Sequence, residues 1–438
     1  MKSTPSGLCL LLLAALSSCR QESDAPRPNV VFILVDDLGF GDLSCHGAAD
    51  LKTPRIDALA KQGVRMVRSY AAGPSCTPTR AAFLTGRWPA RCGFEGPIPP
   101  GLTGPGLPPQ ESSLAGPLRE QGYETALIGK WHLGSRFKHG PRAHGFDHFF
   151  GFRSALIDYW THDGAEGRPD LWENEKRVEV EGYATDLITD RAVDWIGDRT
   201  AEHPFFLYVA YNAPHFPYQR PDAPGSAATF DTMRDGTRED YVAMVERLDE
   251  GVGKILAALD AAGFGDDTLV VFTNDNGGDD FSINAPLSGG KGHVDEGGIR
   301  VPCIARWPGV WPAGKVSKQA SITMDWTVTI LAAAGALIGD RPLDGMDLTP
   351  WLKEGVEPLE RSFFWRTERS DRDEHAVLRG DLKLRVVGGA IGVFDVERDI
   401  AEKKDLSRRE PALRAELEAA YAAWEREMAA ERPEFRVN

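Results

Sequence analysis

Cysteine is scarce in this chain: 6 residues in 438. No CxxC pair occurs, which excludes zinc ribbons and knuckles built on that spacing. From Cys19 onward the cysteines stand singly at 19, 45, 76, 92 and 303, too few and too scattered for a disulfide-built scaffold. Whether one bridge joins two of Cys45, Cys92 and Cys303 stays open. Basic runs are missing as well, and nothing interleaves Lys or Arg with aromatics. With a formal net charge of −15 and a pI near 5.2, the chain lacks the electrostatic footprint of a nucleic-acid binder. An anionic small ligand is not excluded, but its cations have to be gathered locally. Internal repeats and low-complexity tracts are absent, so solenoids are excluded. The apolar run at residues 8–16 is too short to span a membrane comfortably.

That short run has another meaning. "MKSTPSGLCLLLLAALSSC" sets Lys2 before it and small residues after it, the layout of a secretory signal. "LSSC" resembles a bacterial lipobox with Cys19 as the lipidated residue; cleavage at a nearby ordinary site is the alternative. The expected organisation is a lipoprotein-type signal peptide over 1–19, a tether over 20–28, a large domain over 29–358 and a small α+β subdomain over 359–438. The 42% hydrophobic content is ample for a large core.

Past the tether, buried strands alternate with amphipathic helices, which argues for an α/β sheet covered on both faces. "NVVFILVDDLGFGD" is an apolar strand running into Asp36 and Asp37. "TPRIDALAKQG" is a helix with Thr53 as cap, Ile56 and Leu59 inward and Gly63 as stop. "GYETALIGKWHLG" ends a strand near Lys130 and His132. "PFFLYVAYNAPHFPY" ends near His215, and "TLVVFTNDNGG" ends at Asp275 and Asn276. "LSGGKGHVDEGGIRVP" is a Gly-rich loop carrying Lys291. After residue 360, short strands with turns precede a helix with Leu413, Leu417, Tyr421, Trp424 and Met428 on one stripe.

"PSCTPTRAAFLTGR" places Cys76 at the mouth of a short helix, with Thr77 expected as N-cap, Pro78 at the first helical position and Gly86 as stop. A helix N-terminus favours an anion. In open α/β sheets the loops after strand C-termini hold the ligand, and four strand ends here deliver polar groups. Asp36, Asp37, Asp275 and Asn276 are hard oxygen ligands suited to Ca²⁺ or Mg²⁺ rather than zinc. Arg80, Lys130 and Lys291 neutralise a tetrahedral oxyanion, and His132 and His215 move protons near neutral pH. Together they describe hydrolysis of a sulfate or phosphate ester.

"CTPTR" followed by "AAFLTGR" resembles the signature of the type I, formylglycine-dependent sulfatases. "LVDDLGFGD", "TPRIDALAKQG", "GKWHLG", "HGFDHFFGF", "APHFPY", "TNDNGG" and "GGKGHVDEGGIRVP" are similar to that family in the same order. "GLPPQESSLAGPLREQGYETALIGKWHLG" resembles the branch of arylsulfatases A and B and the N-acetylgalactosamine-6-sulfatases. The resemblance implies an alkaline-phosphatase-like sandwich: a large, mostly parallel mixed sheet flanked by helices, with a small C-terminal antiparallel sheet and a packed helix. It implies that a separate formylglycine-generating enzyme oxidises Cys76, and that the hydrated aldehyde attacks sulfur to give a sulfated intermediate. It implies one divalent ion, Ca²⁺ over Mg²⁺, on Asp36, Asp37, Asp275, Asn276 and the modified residue 76. Arg80 and Lys130 are implied to steady the diol and the metal, His132 to take the proton of the diol hydroxyl, and His215 with Lys291 to hold the sulfate and help protonate the leaving alcohol. The expected substrate is a sulfated glycan or aryl sulfate, the expected location the periplasm, outer membrane or cell surface of a bacterium. Two alternatives remain: a phosphodiester or phosphonate monoester hydrolase, and a lipoprotein that binds sulfated glycans without turnover. Tyr159, Trp160, His162 and Trp172, in segment 153–182, either line a sugar site or simply pack.

Overall fold

The structure, a computed structural model, describes residues 27–99, 104–109, 113–165, 167–224, 227–229, 231–336, 342–369 and 372–431. The expected signal peptide, Cys19 and most of the expected tether lie outside the described residues.

Strands β1 (Asn29–Asp36), β2 (Val64–Met66), β4 (Glu124–Lys130), β5 (His148–Phe152), β6 (Trp172–Glu173) and β7 (Lys176–Arg177) belong to one sheet. It is completed by β8 (Phe205–Pro214), β9 (Thr268–Asn274), β10 (Cys303–Arg306) and β11 (Lys315–Ser317). Their order is β11-β2-β10-β9-β1-β8-β4-β5-β6-β7, 10 strands in all. The central run β9-β1-β8-β4-β5 is parallel, and β10 and β6 enter antiparallel. A separate two-stranded pair joins β3 (Ser69–Tyr70) to β12 (Ser321–Ile322).

Side chains alternate across β1, so its apolar run feeds two cores. Val31, Ile33 and Val35 pack under helices α1 (Pro54–Gln62), α4 (Ala184–Gly197) and α5 (Arg238–Ala261). Val30, Phe32 and Leu34 face α2 (Cys76–Thr85), α3 (Ala115–Glu120) and α7 (Thr323–Ala334). Every residue of α2 is buried, and Phe83 stacks on Phe32 at 3.8 Å between ring centroids. The short helix α6 (Glu296–Ile299) closes the Gly-rich loop.

A third core lies under an antiparallel meander of β13 (Ser362–Arg369), β14 (Arg372–Arg379), β15 (Leu382–Val387) and β16 (Ala390–Asp395), backed by α8 (Pro411–Ala430). The stripe expected on α8 is the one it buries: Leu417, Tyr421, Trp424 and Met428, with Leu413 partly covered. Trp365 of β13 donates its indole N–H to the Ala71 carbonyl at 2.8 Å, so the meander grips the strand leading to α2. Cys45, Cys76, Cys92 and Cys303 are free thiols, and no disulfide joins them. Among the described residues no helix is long and apolar enough to cross a membrane.

Two helix starts differ from expectation. Helix α2 begins at Cys76 with Ser75 as N-cap, so Thr77 and Pro78 lie inside its first turn. Thr77 is withheld from capping because its hydroxyl donates to the His132 carbonyl (3.2 Å) and accepts from the Ile98 amide (3.0 Å). Thr53 precedes α1 but makes no side-chain cap. Its hydroxyl is engaged with Ser44, and Asp249 of α5 accepts the Ile56 amide at 2.8 Å instead.

Candidate active site

Strands β9, β1, β8 and β4 are consecutive neighbours and parallel, so their C-terminal ends open on one edge. That edge carries Asp275 and Asn276, Asp36 and Asp37, His215, and Lys130 with His132, side by side. Asp37 and His132 take left-handed backbone angles, φ 63 and 52, turning the chain sharply as each strand ends. Helix α2 points its first residue at the same place.

Cys76 Sγ lies 3.4 Å from Asp36 Oδ1 and donates to it. Arg80, one turn on and wholly buried, donates from Nη2 and Nε to Asp275 Oδ2 at 2.8 and 3.1 Å. Its Nη2 is also 3.4 Å from Asp36 Oδ2. Lys130 Nζ makes a close ion pair with Asp36. Lys291 Nζ donates to Asp37 Oδ2 at 2.5 Å, and His215 Nε2 is 3.6 Å from that oxygen. Asn276 Nδ2 donates to Asp37 Oδ1 at 2.7 Å. His132 Nε2 contacts the Ile98 carbonyl at 3.1 Å, and its Nδ1 is buried without a partner.

Burial pushes the Asp36 carboxyl up, but Lys130, His215 and Arg80 outweigh it and hold the group well below the usual range. Asp37 goes the other way, raised to about 7 by burial and by Asp36, against the pull of Lys291. Asp275 is raised to about 6 by burial and Asp36, with Arg80 opposing. Burial, then Asp275 and Asp36, push the Cys76 thiol up. His132 is held well below its ordinary value by burial and Lys130, and His215 by burial and Lys291. Lys291 stays cationic because Asp37 and its neighbours outweigh its own burial.

The donor set fits a hard divalent cation. Ligand atoms of Asp36, Asp37, Cys76 and His215 all lie within 4.8 Å of one another. Asp275 stands outside that tightest group, with Oδ2 on Arg80. Yet Asp275 Oδ1 and Asn276 Oδ1 are buried and unpartnered, which is costly unless something binds them. Three carboxylates are buried together here, and burial displaces two of them, Asp37 and Asp275, upward.

The partners of the aromatics in segment 153–182, and the role of Asn274, were not foreseen. Tyr159 is buried and donates its hydroxyl to the His215 carbonyl at 2.9 Å. Trp160 donates to the Arg220 carbonyl, His162 contacts the Gly182 carbonyl, and Trp172 donates to Asp170. Asn274 brackets Leu38 with both ends of its amide and shapes the turn holding Asp37. Apart from Trp172 and Asp170, which are two residues apart, each is a pairing distant in sequence, with no local signal.

Acids, fixed cations and imidazoles at the exit edge of a parallel sheet, beside a helix N-terminus, define a hydrolase of anionic esters. Comparison with known proteins narrows the class: the chain belongs to the sulfatase family, whose domain matches residues 28–336. It is 36% identical to the N-acetylgalactosamine-6-sulfatase of Mus musculus over 386 residues, covering 81% of this chain and 72% of that one. It is 34% identical to the steryl-sulfatase of Mus musculus, over 78% of this chain and 68% of that one. The solved structure of Ps i-CgsB superposes with a TM-score of 0.84 at 34% identity, covering 91% of this chain and 92% of that one. Its complex with k-i-k-neocarrahexaose gives 0.82 at 33%, with the same shares of each chain. The fold is therefore the alkaline-phosphatase-like sandwich, and the protein is a sulfuric ester hydrolase.

Proposed function

We propose that this protein releases sulfate from a sulfated carbohydrate, using Cys76 after its conversion to formylglycine by a separate maturation enzyme. The observation that carries this reading is the place of Cys76: first residue of a buried helix, 3.4 Å from Asp36, facing the exit edge of the sheet. A thiol with no other evident task stands where the nucleophile of an anionic ester hydrolase belongs. The glycan preference is supported by the names of two relatives, an N-acetylgalactosamine-6-sulfatase and a protein solved with a neocarrahexaose.

Asp36, Asp37, Asp275 and Asn276, with residue 76, would hold one divalent cation, Ca²⁺ in preference to Mg²⁺. When bound, such an ion supplies positive charge to an ester oxygen and to the nucleophile. Arg80 and Lys130, which meet at Asp36, steady the nucleophile and would steady the metal. His132 accepts the proton of the nucleophile. His215 and Lys291, which meet at Asp37, hold the sulfate and protonate the departing alcohol. We also infer export, with lipid attached at Cys19 and the chain on the periplasmic or cell-surface side. Residues 29–358 then form the catalytic part and 359–438 the smaller C-terminal part.

The test is sulfate release from a panel of sulfated glycans, with aryl sulfate and aryl phosphate esters alongside, after co-expression with a maturation enzyme. Release from a glycan and loss of all turnover in a folded Cys76→Ala variant are expected. Turnover of phosphate esters alone, or an active Cys76→Ala, would sink the reading.

A further inference from the structure

Lys291 sits in a glycine-rich loop, and a flexible loop is a poor mount for a charge that must meet a sulfate group. What holds this loop rigid lies mostly outside the large sheet. On the near side, the Lys291 amide donates to the Gly278 carbonyl (3.1 Å) and the Gly292 amide to the Pro74 carbonyl (2.8 Å). Backbone is laid on backbone: an added Cβ on Gly277 would fall 1.7 Å from the Gly297 carbonyl oxygen. On the far side, Lys383 of β15 is fully buried and reaches Glu296 Oε1 at 3.0 Å and Glu402 Oε1 at 3.1 Å. Glu402 Oε2 in turn accepts the Ser288 hydroxyl at 2.6 Å and the Glu296 amide at 2.8 Å. Ser288 and Glu296 bracket Lys291. Tyr70 and Arg300 complete the shell of Glu296 at 3.1 and 3.3 Å.

Glu402 adopts φ 50, a left-handed angle uncommon outside glycine, to present its carboxylate inward. An ion triad without solvent is expensive, and replacing it with apolar side chains is often neutral for stability. None of the three touches the acid cluster around Cys76. Their shared target is the loop that carries Lys291.

We propose that Lys383 and Glu402 are positioning residues: the C-terminal meander sets Lys291 against Asp37 by gripping both ends of its loop. The proposal rests on the reading of Lys291 as a sulfate-holding residue. It makes the meander a working part of the site.

The test compares Lys383→Met, Lys291→Ala and the double variant as full chains with residue 76 converted. Lys383→Met is expected to raise KM for an aryl sulfate and weaken inhibition by inorganic sulfate by about tenfold or more, as small displacements of a binding group do. In the Lys291→Ala background it is expected to add nothing. In Cys76→Ala protein, which requires no turnover, the thermal shift given by inorganic sulfate is expected to shrink when Lys383 is replaced. Lys383→Met removes the cation that two buried carboxylates share. If it does not accumulate folded, Ser288→Ala, which removes only a hydroxyl from Glu402, carries the same measurements with a smaller loss. Unchanged sulfate affinity, or losses that add in the double variant, would overturn the proposal. A parent protein without turnover, whose sulfate shift still depends on Lys383, would count against the chemistry and in favour of the anchoring.

Discussion

Arg80 shows what a single residue carries here. Its guanidinium is wholly buried, bonded to Asp275 at 2.8 Å and near Asp36 at 3.4 Å, with the Lys130 carbonyl accepting at 3.3 Å. Replacing it with methionine keeps the volume and removes the charge. Asp275 is then a buried carboxylate without its partner, so we expect a loss of about 3–5 kcal/mol, read from urea unfolding. A loss below about 1 kcal/mol on that scale would mean that Asp275 is neutral in the folded protein. The unpartnered buried oxygens of Asp275 and Asn276 predict the effect of a chelator. Stripping a divalent ion should lower the unfolding midpoint, and adding Ca²⁺ at a hundredfold excess over its Kd should return about 2.7 kcal/mol. A midpoint indifferent to both treatments would remove the metal from the reading. The strand-end acids and bases were readable because apolar runs stop abruptly at polar residues. Tyr159 was legible as an aromatic of segment 153–182, but its partner was not, since its bond to the His215 carbonyl links positions that only the fold brings together.

At the scale of elements, the central strands followed from apolar runs and the long amphipathic helices from periodicity, α7 went unread, and helix starts followed from tertiary demands. Thr77 and Thr53 both look like caps in sequence, and both hydroxyls are claimed by other partners. The substitute cap of α1 is Asp249, which accepts amides of Arg55 and Ile56 from the middle of α5. No local rule anticipates a cap supplied by another helix. Burial raises the Asp249 carboxyl from 3.8 to about 6, even though those amides favour its charged form. Its folded value lies above its unfolded one, so the folded state binds the extra proton between these limits. Its contribution to stability is therefore full below pH 3.8 and is lost as pH rises through 6. Asp249→Asn should remove that slope while keeping one acceptor for α1. Unfolding free energies of both proteins between pH 4 and pH 7 measure it. Parallel curves would place the titration elsewhere.

For the whole molecule the question is whether the C-terminal meander is an appendage. The change in texture near residue 360 was plain in the sequence, but its contacts were not, because each joins residues far apart along the chain. Arg361 pairs with the buried Asp325 at the start of α7, and Lys383 with the buried Glu296. Phe363 and Trp365 pack on Tyr70, within a core that also holds Val294, Ile299 and Ile322. Cutting the chain after residue 359 therefore leaves the buried Asp325 without its cation, a loss of about 3–5 kcal/mol, and leaves Glu296 with Arg300 but without Lys383. It also exposes several large apolar side chains worth about 1.5–3 kcal/mol each. These losses together reach the whole stability of an ordinary domain, about 5–15 kcal/mol. The truncated chain should accumulate as aggregate, or as soluble protein without a cooperative unfolding transition. Circular dichroism during a thermal scan decides this. A soluble fragment that melts in one sharp step would show that the large sheet closes its own core, and that these two ion pairs contribute far less than their burial implies.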